Sequence, residues 1–123
     1  MLYRMRNRDG TIDPHSSGTI IDANSTTHHL RLSDFMAVPG RQWKSVKTGT
    51  SYPIEWTITL PAHGTNLRLT PLVDDQELVA TRSTGIAYWE GAVQITGTWQ
   101  GRPVNGRGYV ELTGYSEQHR PKI

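Results

Sequence analysis

Hydrophobic and polar residues alternate one by one along much of the chain, and the clearest run lies between Pro53 and Leu60. On an extended backbone, the apolar members of this run share one side and the polar members share the other. The apolar set is Ile54, Trp56, Ile58 and Leu60, and the polar set is Glu55, Thr57 and Thr59. A period of two is typical of a strand with one buried face. The pattern therefore predicts a half-buried strand with Glu55 facing solvent.

The same period recurs at short intervals elsewhere. The predicted strands are Leu2–Arg8, Gly18–Asp22, Thr27–Leu32 and Leu67–Leu72. Ser33–Thr50 is predicted as an irregular crossing segment with one short strand, and Glu77–Ala80 is either a short strand or a helical turn. Glycine, proline and Asx residues separate them, as in the turn dipeptide Asp9-Gly10. Because no dozen consecutive residues carry apolar positions at helical spacing, strands are expected to build the fold.

The longest strand pair is predicted between Tyr88 and Tyr115. Two alternating stretches flank the segment Gly101–Gly108, which is rich in glycine and also holds proline and asparagine. This segment lacks the strand-to-helix context of a phosphate-binding loop. It is therefore predicted to be the connection of an antiparallel hairpin.

About eight to ten short strands at intervals of roughly 8–12 residues predict an all-β fold, either a β-barrel or a β-sandwich. The chain of 123 residues is expected to form one domain, residues 1–123. A chain of this size buries roughly two thirds of the surface that its unfolded form exposes, which is enough for a core. Periodicity alone does not separate the barrel from the sandwich.

The composition excludes several classes of site. The chain has no cysteine, which excludes disulfides, a thiolate nucleophile and a cysteine-based zinc site. His28 and His29 are neighbours, and neighbouring residues of a strand project to opposite faces. His15, His63 and His119 lie beside turn residues, and no ligand spacing links them. We therefore expect neither a metal ion nor a cofactor.

The charge is close to balanced, with 13 Lys and Arg against 11 Asp and Glu. Arg4, Arg6 and Arg8 alternate along the first predicted strand and are expected to form the solvated face of an edge strand. No basic field is present to attract nucleic acid. The apolar runs are far shorter than the roughly 20 residues of a membrane helix, and no signal peptide begins the chain. We expect a soluble chain whose cellular location stays undetermined.

Two stretches of the predicted hairpin resemble a known family. Tyr88–Val93 (YWEGAV) and Gly108–Tyr115 (GYVELTGY) resemble the closing signature of carotenoid 1,2-hydratase and AttH-like proteins, often labelled predicted secreted hydrolases. Shorter pieces in the same order, from Leu2–Arg6 to Thr48–Trp56, extend the resemblance over nearly the whole chain. The resemblance implies a single antiparallel lipocalin-like β-barrel that corresponds to the second of two such domains. Proteins of the family that this sequence resembles are frequently exported.

For the hydratases of this family, the resemblance implies acid-catalysed addition of water to an isolated carbon–carbon double bond. A carboxylic acid kept protonated by an apolar cavity can supply the proton. Glu90 and Glu111 lie at corresponding places on two paired strands and are the predicted catalytic acids. The alternative is that both face solvent while Trp89 and its alternate neighbours fill the core. The absence of a Gly-x-Ser-x-Gly sequence counts against a serine hydrolase.

The aromatic residues are candidates for contact with a ligand, because a barrel of about eight strands can hold one small molecule. The predicted ligand-binding residues are Trp56, Tyr88, Trp89, Trp99 and Tyr109. Plain core packing is the alternative for each of them. The leading hypothesis is a lipocalin-like domain that binds an apolar small molecule or serves as a structural half-unit of an assembly. A hydratase-type enzyme and an interaction module that self-associates into a homo-oligomer are the alternatives.

Overall fold

The computed structural model describes residues 1–80 and 85–116, and strands account for most of them. The strands are β1 (Leu2–Tyr3), β2 (Ser17–Ile21), β3 (Thr27–Arg31), β4 (Met36–Pro39), β5 (Gln42–Lys44), β6 (Ser51–Pro53), β7 (Trp56–Leu60), β8 (Thr65–Pro71), β9 (Glu77–Ala80), β10 (Ile86–Trp99) and β11 (Arg102–Leu112). Leu32–Asp34 and Pro61–His63 form single 3-10 turns. Among these residues, no helix is long and apolar enough to span a bilayer. His119 lies outside the described residues.

Every strand pairing is antiparallel. The large sheet has the order β11-β10-β8-β7-β4, and β9 also pairs with β10. The strands β1-β2-β3 form a second sheet and β5-β6 a third. Strand β10 is 14 residues long, and it pairs with β11 on one side and with β8 and β9 in succession on the other. The large sheet is a curled half-barrel, since its end strands β11 and β4 do not pair within the described ranges. The all-β antiparallel prediction is confirmed.

The core lies on the inner face of the large sheet, and the alternation along β7 places its residues as predicted. The buried hydrophobic cluster contains Leu30, Phe35, Tyr52, Ile54, Trp56, Ile58, Leu60, Trp89, Val93 and Leu112. Burying a large apolar side chain of this kind contributes about 1.5–3 kcal/mol. This gain in free energy explains why the covered face of each central strand carries apolar residues.

A glutamine side chain bridges the interruption between β8 and β9. The Gln76 Oε1 atom accepts the backbone N–H of Ala92 at 3.0 Å, and Gln76 Nε2 donates to the Ala92 carbonyl at 3.2 Å. The Gln76 side chain thus supplies the acceptor for the Ala92 N–H, while the Ala92 carbonyl also accepts the backbone N–H of Leu72. A Cβ atom at Gly91 would lie 2.2 Å from Gln76 Cδ, so only glycine leaves room for the bridge.

The first strand is shorter than the predicted segment Leu2–Arg8, because β1 ends at Tyr3. The chain turns back shortly afterwards, and the Asn7 N–H donates to the Thr11 carbonyl at 2.8 Å. The ladder with β2 has already ended at Met5, because the Met5 N–H donates to the side-chain Oγ atom of Ser16 at 3.0 Å. The prediction of a seven-residue strand is therefore wrong.

Of the three arginines in this segment, Arg6 and Arg8 are exposed as predicted and Arg4 is half-buried. The Arg4 guanidinium lies 5.6 Å from the centre of the Trp56 ring, and that of Arg6 lies 4.0 Å from the Tyr115 ring. Arginine is attracted to the face of an aromatic ring. Once the strand is broken, the two side chains can reach these rings, which alternation along a continuous strand would not predict.

The connection between β10 and β11 is tighter than predicted. Gln100 and Gly101 have φ values of 49° and 75°, and β11 begins at Arg102. Two left-handed residues make the type of turn that matches the twist of the flanking strands. The prediction that Gly101–Gly108 forms a loop is therefore wrong, since most of that segment is paired with β10.

Candidate functional site

The two predicted acids lie directly opposite each other in the β10–β11 ladder. Their side chains therefore share one face, as the sequence predicted. That face is the outer one, because the adjacent Trp89 points inward and is fully buried. Glu90 is half-buried and Glu111 is exposed. Directly opposed like charges repel each other. The catalytic role of these two residues stays a prediction.

Two predicted tyrosines lie on the same outer face. Tyr88 precedes Glu90 by two positions and is half-buried, and Tyr109 lies opposite Ala92 and is 65% exposed. Desolvation of the phenol raises the pKa of Tyr109, and the charge of Glu90 and a hydrogen bond to its carboxylate raise it further. Tyr88, Glu90, Tyr109 and Glu111 thus form one outer patch of aromatic and acidic side chains.

The predicted tryptophans lie elsewhere. Trp56 and Trp89 are on the inner face, 8% and 0% exposed, and each donates its indole N–H to a backbone carbonyl oxygen at 2.7 Å. Trp99 lies beside the β10–β11 turn, and its ring stacks on that of His63 at 6.0 Å. The five predicted ligand-binding residues therefore divide between the two faces of the sheet, and their contact with a ligand stays a prediction.

A third carboxylate, Glu77, lies inside the fold. It is directly opposite Trp89 in the β9–β10 ladder, shares the inner face with it, and is 7% exposed. Ser45 Oγ donates a hydrogen bond to Glu77 Oε1 at 2.6 Å. Glu77 Oε2 accepts hydrogen bonds from Thr48 Oγ1 at 2.7 Å and from Tyr52 Oη at 2.8 Å. Within residues 1–80 and 85–116, Glu77 forms no ion pair. Three hydroxyl groups therefore take the place of a cation.

The turn between β5 and β6 supplies two of these hydroxyl groups. Strand β5 ends at Lys44, because Ser45 begins a tight turn. Ser45 Oγ accepts the backbone N–H groups of Lys47 and Thr48 at 3.1 and 3.2 Å, and Gly49 N–H donates to the Ser45 carbonyl. These bonds hold Ser45 and Thr48 where both hydroxyls reach the same carboxylate.

The third donor, Tyr52, is fully buried. Its ring lies 6.3 Å from that of Trp43 and 5.9 Å from that of Tyr115. Burial, followed by the hydrogen bond to Glu77 and its charge, raises the pKa of Tyr52 well above its usual range. The phenol therefore keeps its proton and acts as a donor. We call Ser45, Thr48, Tyr52 and Glu77 the hydroxyl–carboxylate cluster.

Sequence reasoning missed this cluster. Its three donors lie 25 to 32 positions before Glu77, and no local pattern joins residues that far apart. The one signal was the place of Glu77 in an alternating segment, where it shares a face with Val79 and not with Leu78. That signal did not show which face would be covered.

Glu55 belongs to a network of ion pairs with Arg41, Arg68 and, through Arg41, Asp74. Glu55 was predicted to face solvent, but its side chain is only 15% exposed and accepts hydrogen bonds from Arg41 at 2.8 Å and Arg68 at 3.0 Å. Arg41 also forms a two-pronged pair with Asp74, with both distances 2.8 Å. Hydrogen bonds from Arg41 and then Arg68 lower the pKa of Glu55, and the bond from Arg41 lowers that of Asp74.

The described side chains include no group of three or more His, Cys, Asp or Glu residues that could hold a metal ion. The rings of His28 and His63 lie edge to face, with their centres 6.3 Å apart. His28 Nε2 lies 3.1 Å from an Asp22 carboxylate oxygen. Among the described residues, these side chains do not converge on one point that could hold a metal ion.

Comparison with known proteins gives a consistent set of relatives. A family model described as AttH-like matches residues 1–115. Kievitone hydratase of Fusarium solani subsp. phaseoli is 35% identical over 72 residues, which are 58% of this chain and 20% of that protein.

Two solved structures have the same fold. An AttH protein of Nitrosomonas europaea superposes with a TM-score of 0.77 at 35% identity, over 93% of this chain and 33% of that one. Kievitone hydratase of Nectria haematococca superposes with a TM-score of 0.72 at 26% identity, over 94% of this chain and 34% of that one. This chain therefore spans about a third of the length of both solved relatives.

Proposed function

Because the chain belongs to the AttH-like family, we propose that it acts as a lipocalin-like domain that binds an apolar small molecule within a hydratase-type protein. Its fold is lipocalin-like, as in the solved relatives. We further propose that it is the second of two such domains. The chain spans about a third of each solved relative, which leaves room for a further domain in those proteins.

The observation that carries the proposal is an aromatic inner face with one hydrogen-bonded carboxylate. Small-molecule sites are mostly apolar and contain a few well-placed polar groups that orient the ligand. Trp56 and Trp89 supply inward aromatic surface, and Glu77 with its hydroxyl donors supplies the polar end. The proposed ligand is therefore an apolar molecule with one polar end.

Native mass spectrometry and calorimetry with fatty acids and isoprenoid alcohols test this proposal. We expect Trp56→Phe and Trp89→Phe to weaken binding about tenfold through lost aromatic contact. The matched outer-face variants Tyr88→Phe and Tyr109→Phe are expected to bind like the parent chain, as is Trp99→Phe. Weakening by the outer-face variants alone would move the site to the outer patch. A parent chain that retains no ligand would contradict binding and leave the role of a structural half-unit.

A second candidate function is hydration of an isoprenoid double bond, and the carboxylates on both faces favour it. A carboxylic acid would transfer its proton to one alkene carbon, a water oxygen would bond to the cationic neighbour, and the proton lost by that water would return to the carboxylate. Glu90 and Glu111 remain the acids proposed from the sequence. Glu77 is the most enclosed of the three.

Heavy-oxygen water added to an isoprenoid alkene measures this activity directly, because the product gains the labelled oxygen. The variants Glu77→Gln, Glu90→Gln and Glu111→Gln keep side-chain size and remove the transferable proton. Loss of labelling in one variant alone, with its binding of the alkene unchanged, would identify the acid. Absence of labelling by the parent chain would exclude the activity for this chain by itself.

A further inference from the structure

Strand β11 forms an open edge of the large sheet. It is 11 residues long, pairs with β10 on one side, and has no partner strand on the other among the residues that the structure describes. Most of its residues are exposed. An open edge presents backbone N–H and C=O groups that are ready to pair with another strand. The edge therefore offers a surface for an additional strand.

Apolar outer-face residues lead up to this edge. Leu72 is 51% exposed and donates its N–H to the Ala92 carbonyl at 3.0 Å, and Ala92 lies opposite Tyr109, which is 65% exposed. Leu78, which is 45% exposed, lies opposite Tyr88 on the same face. The exposed apolar surface thus runs across three strands and ends at β11.

We propose that this edge is an interface for a second copy of the chain, paired antiparallel to it about a two-fold axis at Tyr109. Directly opposed residues of an antiparallel pair project to the same face of the sheet. In this register, Tyr109 meets its own copy, and Glu111 of each chain lies opposite Arg107 of the other. The large sheets of the two chains would join into one.

The distribution of charge selects this register. Among the described residues, neither Arg107 nor Glu111 forms an ion pair, and Glu111 lies opposite the like charge of Glu90. A shift of the axis to Arg107 would oppose two arginines, and a shift to Glu111 would oppose two glutamates. Only the axis at Tyr109 pairs opposite charges twice. This surface is separate from the inner face, so the inference does not depend on ligand binding.

A cysteine cross-link tests the register, because the chain has no native cysteine. In Tyr109→Cys the two thiols would face each other at a Cα separation of about 4.5–5.5 Å, within reach of a disulfide. In the matched control Asn105→Cys, on the same strand and face, the copies would lie eight positions apart, or roughly 27 Å. We expect a covalent dimer of Tyr109→Cys and little of Asn105→Cys. Equal cross-linking of the two variants would overturn the register.

Charge reversal tests the interface without a covalent bond. By sedimentation equilibrium, Arg107→Glu and Glu111→Arg are each expected to weaken the dimer about tenfold, because each puts like charges opposite one another. The double variant restores two opposite pairs and should recover the parent dissociation constant. Arg102→Glu is the control, since in this register Arg102 lies beyond the partner's β11. A parent chain that stays monomeric at high concentration, or a double variant without recovery, would overturn the proposal.

Discussion

Removal of the buried carboxylate is expected to be costly. In Glu77→Ala, the hydroxyls of Ser45 and Tyr52, which are 2% and 0% exposed, lose their acceptor and stay buried. A buried donor without a partner costs about 1–3 kcal/mol. Thr48 is only partly buried and can turn to water. For two such donors, we therefore expect the free energy of unfolding to fall by about 2–6 kcal/mol, which is a large share of the roughly 5–15 kcal/mol of a typical domain.

The variant Glu77→Gln separates the contribution of hydrogen bonding to stability from that of the negative charge. The amide keeps the volume and one acceptor oxygen, and the Tyr52 hydroxyl can rotate to accept an amide N–H. We expect a loss of about 1–2 kcal/mol for this variant. The control is Asp75→Ala in the adjacent loop. Asp75 Oδ2 lies 3.5 Å from Lys47 Nζ, and both side chains are exposed. An exposed pair of this kind contributes at most about 1 kcal/mol.

Urea unfolding followed by tryptophan fluorescence and far-ultraviolet circular dichroism measures these differences. All variants should be compared at one low protein concentration, because self-association makes apparent stability depend on concentration. A Glu77→Ala variant within about 0.5 kcal/mol of the parent chain would refute the reasoning. That result would mean that water takes the place of the carboxylate at no cost.

Two further changes address other parts of the sheet. In Gly91→Ala, the new methyl group should expel the Gln76 side chain and break its two hydrogen bonds to Ala92 of β10. The free energy of unfolding in urea should fall by about 1–2 kcal/mol. An unchanged urea midpoint would contradict this prediction. Hydrogen bonds from Arg41 lower the pKa values of Glu55 and Asp74. Their contribution is therefore present above the ordinary values of 4.5 and 3.8 and is lost as the pH falls through the lowered values. In Arg41→Ala, the urea midpoint should fall less on acidification than it does in the parent chain. An equal fall in both proteins would show that these ion pairs do not contribute to stability.

Local pattern was sufficient where burial followed the alternation of hydrophobic residues. The inner residues of β7 and the long hairpin of β10 and β11 are predicted correctly for this reason. Strand β4 was missed because Met36 and Val38 are 54% and 55% exposed, so its apolar residues face outward at an edge. The first strand was predicted too long because the Met5 N–H is bonded to the Ser16 side chain, which ends the ladder with β2 before the predicted turn.

The sequence by itself determined the period of two, the turn residues, the antiparallel hairpins and the resemblance to the AttH-like proteins, all of which depend on residues close together in the chain. Only the tertiary structure decided that Glu90 and Glu111 face outward while Glu77 faces inward. It also decided that β11 is left as an open edge. The physical reason is that alternation gives two faces to every strand, whereas the choice of the covered face depends on packing against distant segments. For Glu77, these segments lie 25 to 32 positions away and contribute the hydroxyl groups that make its burial possible.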